Sequence, residues 1–129
     1  MQRIQEWFDD APEKQYKGIQ TTSHYLVMRD GTQIAVDLLL PLGLAAGTRL
    51  PVVLTMTRYW RSFELRIPEP PQRAPIAPRT ALADDLVPRG FAMVIVDARG
   101  SGASTGVSRH PWTPEEIADY GEVAAWAMT

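Results

Sequence analysis

Residues able to do chemistry gather in one stretch, Asp97-Ala98-Arg99-Gly100-Ser101-Gly102-Ala103-Ser104-Thr105-Gly106, with Ser108 and His110 just behind it. Gly102-Ala103-Ser104-Thr105-Gly106 fits G-x-S-x-G, the pattern that carries a nucleophilic serine on a strained turn between a strand and a helix. Such a hydroxyl needs a histidine within hydrogen-bond reach and a carboxylate to orient that histidine, so Ser104 or Ser108, His110 and Asp97 compose a nominal triad. The context opposes it. The apolar run Phe91–Val96 ends too early for Ser104 to ride on its turn, and Pro111 and Pro114 resist a helix starting directly after Gly106. Ser104 therefore reads as a loop hydroxyl that bonds nearby backbone, and no nucleophile is expected in this chain.

The same glycines support a second chemistry. Gly100 and Gly102 give G-x-G, but Thr105 stands where a dinucleotide fingerprint needs its third glycine. A small doubly wound binding module that cradles a phosphate group in the Gly100–Gly106 loop stays open as an alternative, as does a non-catalytic remnant. The absence of cysteine excludes disulfides, zinc–thiolate sites and a Cys nucleophile, and the two isolated histidines show no ligand spacing, so no metal and no cofactor are expected.

The elements that must position these residues follow from periodicity. Apolar runs flank Asp30-Gly31 between His24 and Pro41, which predicts an antiparallel hairpin closed by a two-residue turn, with Ile34, Val36, Leu38 and Leu40 on the buried face and Asp37 on the other. Val52–Met56 is continuously apolar and β-branched, the composition of a central strand. Between Pro78 and Gly90 lies a short helix with Ala81, Leu82, Leu86 and Val87 inward and Asp84 and Asp85 in solvent; the strand Phe91–Val96 then completes a βαβ unit. A last helix opens on Thr113 as N-cap, with Pro114 at its first position and Glu116 closing a capping box. Its apolar stripe is Ile117, Tyr120, Gly121, Ala124, Ala127 and Met128, with Glu115, Asp119 and Glu122 opposite.

Asp97-Ala98-Arg99-Gly100-Ser101-Gly102-Ala103-Ser104 resembles the D-x-R-G-x-G-x-S loop that follows the fourth strand of many α/β-hydrolases. Met28-Arg29-Asp30-Gly31-Thr32, Ile34-Ala35-Val36-Asp37, Leu40-Pro41 and Pro51-Val52-Val53-Leu54-Thr55 precede it in the order found at the opening of the X-Pro dipeptidyl-peptidase and cocaine-esterase family. The resemblance runs from about His24 to Trp126, omits the segment between Tyr59 and Pro78, and implies an α/β class: a partial α/β-hydrolase fold ending before the strand that delivers the nucleophile. It implies hydrolysis of a small-molecule ester or peptide through an acyl-enzyme by the longer protein, with the chain alone inactive. It also implies that Tyr59 is an oxyanion-hole donor, while Asp97, Arg99, Gly100, Gly102 and Ser104 shape the loop. The family usually has Pro before that Tyr; Arg58 stands there instead, which leaves the loop without proline's stiffness.

Residues 1–20 read as a polar lead whose Trp7 and Phe8 dock on the fold, 21–129 as the amino-terminal part of the hydrolase domain, and 58–78 as a Pro- and Arg-rich loop insertion in which Trp60, Phe63 and Leu65 pack. Between Arg58 and Arg79, Arg58, Arg61, Arg66, Arg73 and Arg79 outnumber Glu64 and Glu69 and read as a solvated face. Across the chain thirteen Lys and Arg are scattered against fifteen acids, so nucleic acid and anionic membrane are not expected partners. With no signal-peptide core and no transmembrane run, a cytoplasmic location is expected. Oligomeric state has no signal.

Overall fold

The computed structural model describes residues 11–59, Arg61 and 80–129. Most of the 58–78 insertion, including Trp60, Phe63 and Leu65, lies outside the described residues, as do Trp7 and Phe8. Strands β1 (Ile19–Val27) and β2 (Gln33–Pro41) form the antiparallel hairpin, with Val27 opposite Gln33 and Ile19 opposite Pro41. β1 thus takes in Ile19 and Gln20 from the stretch read as a lead. Their connection is not the two-residue turn expected. Gly31 N donates to Met28 O at 2.9 Å and Met28 N to Thr32 O at 2.8 Å, so Arg29, Asp30 and Gly31 make the loop. Gly31 alone takes a positive φ, 82°, and Asp30 Oδ1 accepts from Thr32 N at 3.1 Å.

After β3 (Val52–Thr57) come helix α1 (Thr80–Leu86), a 3-10 turn (Val87–Arg89), β4 (Ala92–Asp97) and helix α2 (Pro114–Ala127). The four-stranded sheet has the order β1-β2-β4-β3, with β4 antiparallel to β2 and parallel to β3. Every residue of β4 is buried, whereas β3 stands at the outer side of the described strands with Val52 exposed. Among the described strands Val52–Met56 pairs with β4 alone, since a continuous apolar run signals coverage of both faces but not which strand lies next door.

One face joins Met28, Ile34, Val36, Val94 and Val96 to Val123 of α2; the other joins Leu39, Met93 and Ile95 to Ala83 of α1 and Val87 of the turn. Each fully buried valine or isoleucine contributes about 1.5–3 kcal/mol by leaving water. β2 is buried on both faces, Ala35 and Asp37 included, rather than on the Ile34 side alone. The backbone before β1 also packs, since Gln15 N and Tyr16 N donate to Pro88 O at 2.8 and 3.0 Å.

Both helices turn faces to the sheet that differ in part from those read off their apolar residues, although Val87 is buried and Asp84 and Asp85 are exposed as expected. In α1, Ala83 is buried and Leu82 is 49% exposed, with Ala81 exposed as well. In α2 the inward residues are Glu116, Asp119 and Val123, while Ile117 and Met128 face solvent and the missing side chain of Gly121 meets open space. In α2 the reason is electrostatic: arginines from the hairpin turn and from the β3 and β4 loops bind those carboxylates. The start of α2 is as expected, with Thr113 Oγ1 accepting from Glu116 N at 3.2 Å and Pro114 in the first turn.

Candidate functional site

The carboxyl ends of the parallel strands β3 and β4 lie side by side. Thr57 is in register with Asp97, and Ala98 N donates to Thr57 O at 2.9 Å, so the pairing continues past the strands. This is the edge of an α/β sheet where binding crevices form.

The loop after β4 is folded on itself and on β2. Gly100 N donates to Thr105 O at 3.0 Å, Ser101 N to Ala98 O at 2.9 Å, Ser104 N to Ser101 O at 3.0 Å and Thr105 N to Gln33 O at 2.9 Å. Ser104 Oγ donates to Asp97 O at 2.7 Å and accepts from Ala35 N at 2.8 Å, which ties β2 to the loop. Ala103 N donates to Asp97 Oδ2 at 3.0 Å. These amides and this hydroxyl are engaged within the protein, and the carboxylate beside them would repel an anion, both of which oppose the phosphate-cradle reading.

The nominal triad does not assemble. Ser108 Oγ donates to the backbone oxygen of His110 at 2.9 Å, and the His110 ring places Nδ1 3.0 Å from Pro111 O. Asp97, 1% exposed, accepts instead from Arg61: the backbone N reaches Oδ1 at 2.6 Å and Nη1 reaches Oδ2 at 2.6 Å. The same guanidinium donates from Nε to Asp37 Oδ1 at 3.0 Å, where Ser23 Oγ also donates at 2.6 Å. Burial pulls the Arg61 pKa down, but its bonds to Asp37 and Asp97 prevail and raise it.

Arg99 runs from the loop to α2, donating from Nε to Asp119 Oδ2 and from Nη2 to Asp119 Oδ1, both at 2.7 Å. Its Nη1 donates to Asp30 Oδ2 at 2.5 Å and to Thr32 Oγ1 at 2.9 Å. Those carboxylates raise the Arg99 pKa, Asp119 foremost, and in return Arg99 and then the Thr32 amide hold Asp30 well below the usual carboxylate range. Arg29 joins from the hairpin turn, with Nη1 donating to Asp119 Oδ1 at 2.9 Å and to Glu122 Oε1 at 2.8 Å.

Arg58, which was expected to leave its loop without stiffness, is an anchor. Its Nη2 donates to Glu116 Oε2, to Ser108 Oγ at 3.0 Å and to His110 O at 3.1 Å. Glu116 Oε2 also accepts from Trp112 N at 3.1 Å, and Tyr120 donates its hydroxyl to Glu116 Oε1. Burial and that bond raise the Tyr120 pKa. Trp112 takes a φ of 64°, unusual outside glycine, and remains 70% exposed. Tyr59 donates its backbone N to Thr57 Oγ1 at 2.9 Å and leaves its side chain exposed.

The arginine pairs are what sequence reading missed. Arg58 and Arg61 looked like part of a solvated face, yet each is bound to a buried carboxylate. Asp37 interrupting an apolar strand, and Glu116 and Asp119 one helical turn apart, were the signals available. Among the described residues no group of His, Asp and Glu is arranged to hold a metal ion, and no helix is long and apolar enough to cross a membrane.

Residues 30–129 match the family model for X-Pro dipeptidyl-peptidase, family S15. The chain belongs to that family. The S15 assignment agrees with the resemblance carried by the Asp97–Ser104 loop and the strands before it. A Mycobacterium bovis protein whose given name is that of a candidate serine esterase is 42% identical over 120 residues, 88% of this chain and 19% of its own length. Among solved structures, a CocE/NonD family hydrolase from Staphylococcus aureus matches with a TM-score of 0.61 at 26% identity, over 84% of this chain and 20% of its own. An α-amino acid ester hydrolase matches with a TM-score of 0.57 at 26% identity, over 88% and 19%. The mixed sheet with its two helices is thus part of an α/β-hydrolase fold, and the chain spans about a fifth, 19%, of the length of the curated relatives it matches. The family is one of serine hydrolases, esterases and peptidases.

Proposed function

We propose that these residues form the amino-terminal part of a cytoplasmic serine hydrolase that opens an ester or amide of a small molecule or peptide through an acyl-enzyme. Tyr59 supplies one donor of its oxyanion hole. Residues 21–129, together with Ile19 and Gln20 of β1, belong to the hydrolase domain, with 58–78 as an insertion and the residues before Ile19 as a lead. Among the described residues no serine hydroxyl bonds a histidine ring, which supports a nucleophile and base contributed by sequence beyond this fifth of the relatives' length.

The observation that carries the reading is the placement of Tyr59. Its backbone is tied to Thr57 at the end of β3, beside Asp97 at the end of β4, and the residue is 83% exposed. A phenol held there donates a hydrogen bond to the oxygen on which negative charge develops when a carbonyl is attacked. In the full-length protein, Tyr59→Phe is expected to lower kcat for p-nitrophenyl acetate about 10²- to 10³-fold with little change in KM. Wild-type kcat in that variant would remove Tyr59 from the mechanism. The 129-residue chain by itself is expected to take up no fluorophosphonate probe; labelling at Ser104 or Ser108 would return the nucleophile to this loop.

A further inference from the structure

We propose that Arg58 and Glu116 are positioning residues that fix where the Tyr59 hydroxyl stands; the proposal rests on the oxyanion role given to Tyr59. No described residue hydrogen-bonds the phenol, so its location is inherited from the backbone that carries it. A tyrosine ring has two side-chain torsions with few preferred wells, so within a given rotamer a shift of the Cα moves the hydroxyl with it.

That backbone is held from both sides. Next to Tyr59, Arg58 reaches toward α2, where Glu116 Oε2, Ser108 Oγ and His110 O all accept from one guanidinium nitrogen. Glu116 is suited to be the fixed point: its side chain is 1% exposed, and Trp112 N and the Tyr120 hydroxyl hold it in place. On the other side of Tyr59, Arg61 is bound through its backbone N and its guanidinium to Asp97, and through Nε to Asp37. Glu116 stands on the helix that covers the Val94 face of the sheet, whereas Asp37 and Asp97 belong to the opposite face by the two-residue period of their strands. Arg58 and Arg61 are therefore anchored on opposite faces at the carboxyl edge of the sheet. Arg58 is the adjacent anchor: its Nη2, at the far end of the guanidinium, reaches three acceptors that the shorter side chain of a lysine does not reach from the same backbone position.

A double-mutant cycle in the full-length protein, read with p-nitrophenyl acetate, tests this. Arg58→Lys is expected to lower kcat about tenfold and to leave KM within about twofold, because a displaced donor is lost in the transition state rather than in substrate binding. In a Tyr59→Phe background the same change is expected to leave kcat within about twofold, since no hydroxyl remains to be positioned. Glu116→Gln, which keeps the shape of the anchor, is expected to repeat the pattern with a smaller loss, and it replaces Arg58→Lys if that variant shows no cooperative thermal transition. An equal loss in both backgrounds, or wild-type kcat in the tested anchor variant, overturns the positioning role while leaving Tyr59 as donor. Wild-type kcat in Tyr59→Phe alone overturns the oxyanion reading, and the positioning role falls with it.

Discussion

The carboxylate of Asp97 fills the space in which a side chain at Gly102 would have to stand: a Cβ there would lie 2.4 Å from the Asp97 carboxyl carbon. Gly102 also has a φ of 54°. The backbone of the loop thus wraps directly on a buried carboxylate that holds Ala103 N and Arg61 together.

Gly102→Ala is accordingly expected to destabilise the folded protein by about 2–4 kcal/mol, from the strained backbone together with displacement of Asp97 from its donors. Urea denaturation measures it. A loss below about 0.5 kcal/mol would mean that the loop relaxes without disturbing Asp97.

Asp119 carries a bidentate bond from Arg99, whose side chain is 7% exposed. Asp119→Ala leaves that guanidinium buried beside Asp30 alone and is expected to cost about 3–5 kcal/mol. Replacing both partners, Arg99→Met with Asp119→Leu, is expected to cost clearly less than the two single changes added together, because no buried charge is stranded. Additive losses in chemical denaturation would show that the pair is not coupled.

Ser104 serves two backbone groups, and Ser104→Ala is expected to cost about 1–3 kcal/mol by leaving the Ala35 amide and the Asp97 carbonyl without this partner. Fluorophosphonate labelling of the full-length protein is expected to be unchanged by it. Loss of labelling without loss of stability would instead make Ser104 the reactive hydroxyl.

Acid stability is expected to depend on Asp30. Its folded pKa is depressed, first by the bond from Arg99 and then by the Thr32 amide. In mildly acid solution the unfolded chain therefore binds more protons at this position than the native state does. The stabilisation is complete above the ordinary Asp value of about 3.9 and is lost as pH falls from there toward the folded value. Asp30→Asn should flatten stability against pH below about pH 4. An unaltered acid limb in thermal melts would show that other carboxylates govern it.

Much of the fold was legible because the signals were local. Asp30-Gly31 between apolar runs announced the hairpin, and Thr113-Pro114 with Glu116 announced the start of α2. The face of α2 was not legible, since Glu116 and Asp119 count as solvent residues unless the arginines that neutralise them are known, and those arrive from Arg58, Arg99 and Arg29, far away in sequence. That β4 rather than β3 pairs with β2 escaped for a related reason: both are runs of apolar residues, and composition does not name a strand's neighbour. At the site, the Asp97 loop was visible as a motif, whereas the anchoring of Arg58 and Arg61 depends on burial that no local pattern records.

The strand order carries a consequence for synthesis on the ribosome. β1 and β2 can pair as soon as both have emerged, yet β3 is not their neighbour: β4 lies between β2 and β3. Val52–Thr57 must therefore wait without its β4 partner until Ala92–Asp97 have been translated, and only then is the gap in the sheet closed. Throughout the interval between those two moments both edges of Val52–Thr57 are unpaired and open to misassociation, and slowing translation across residues 58–91 would lengthen it.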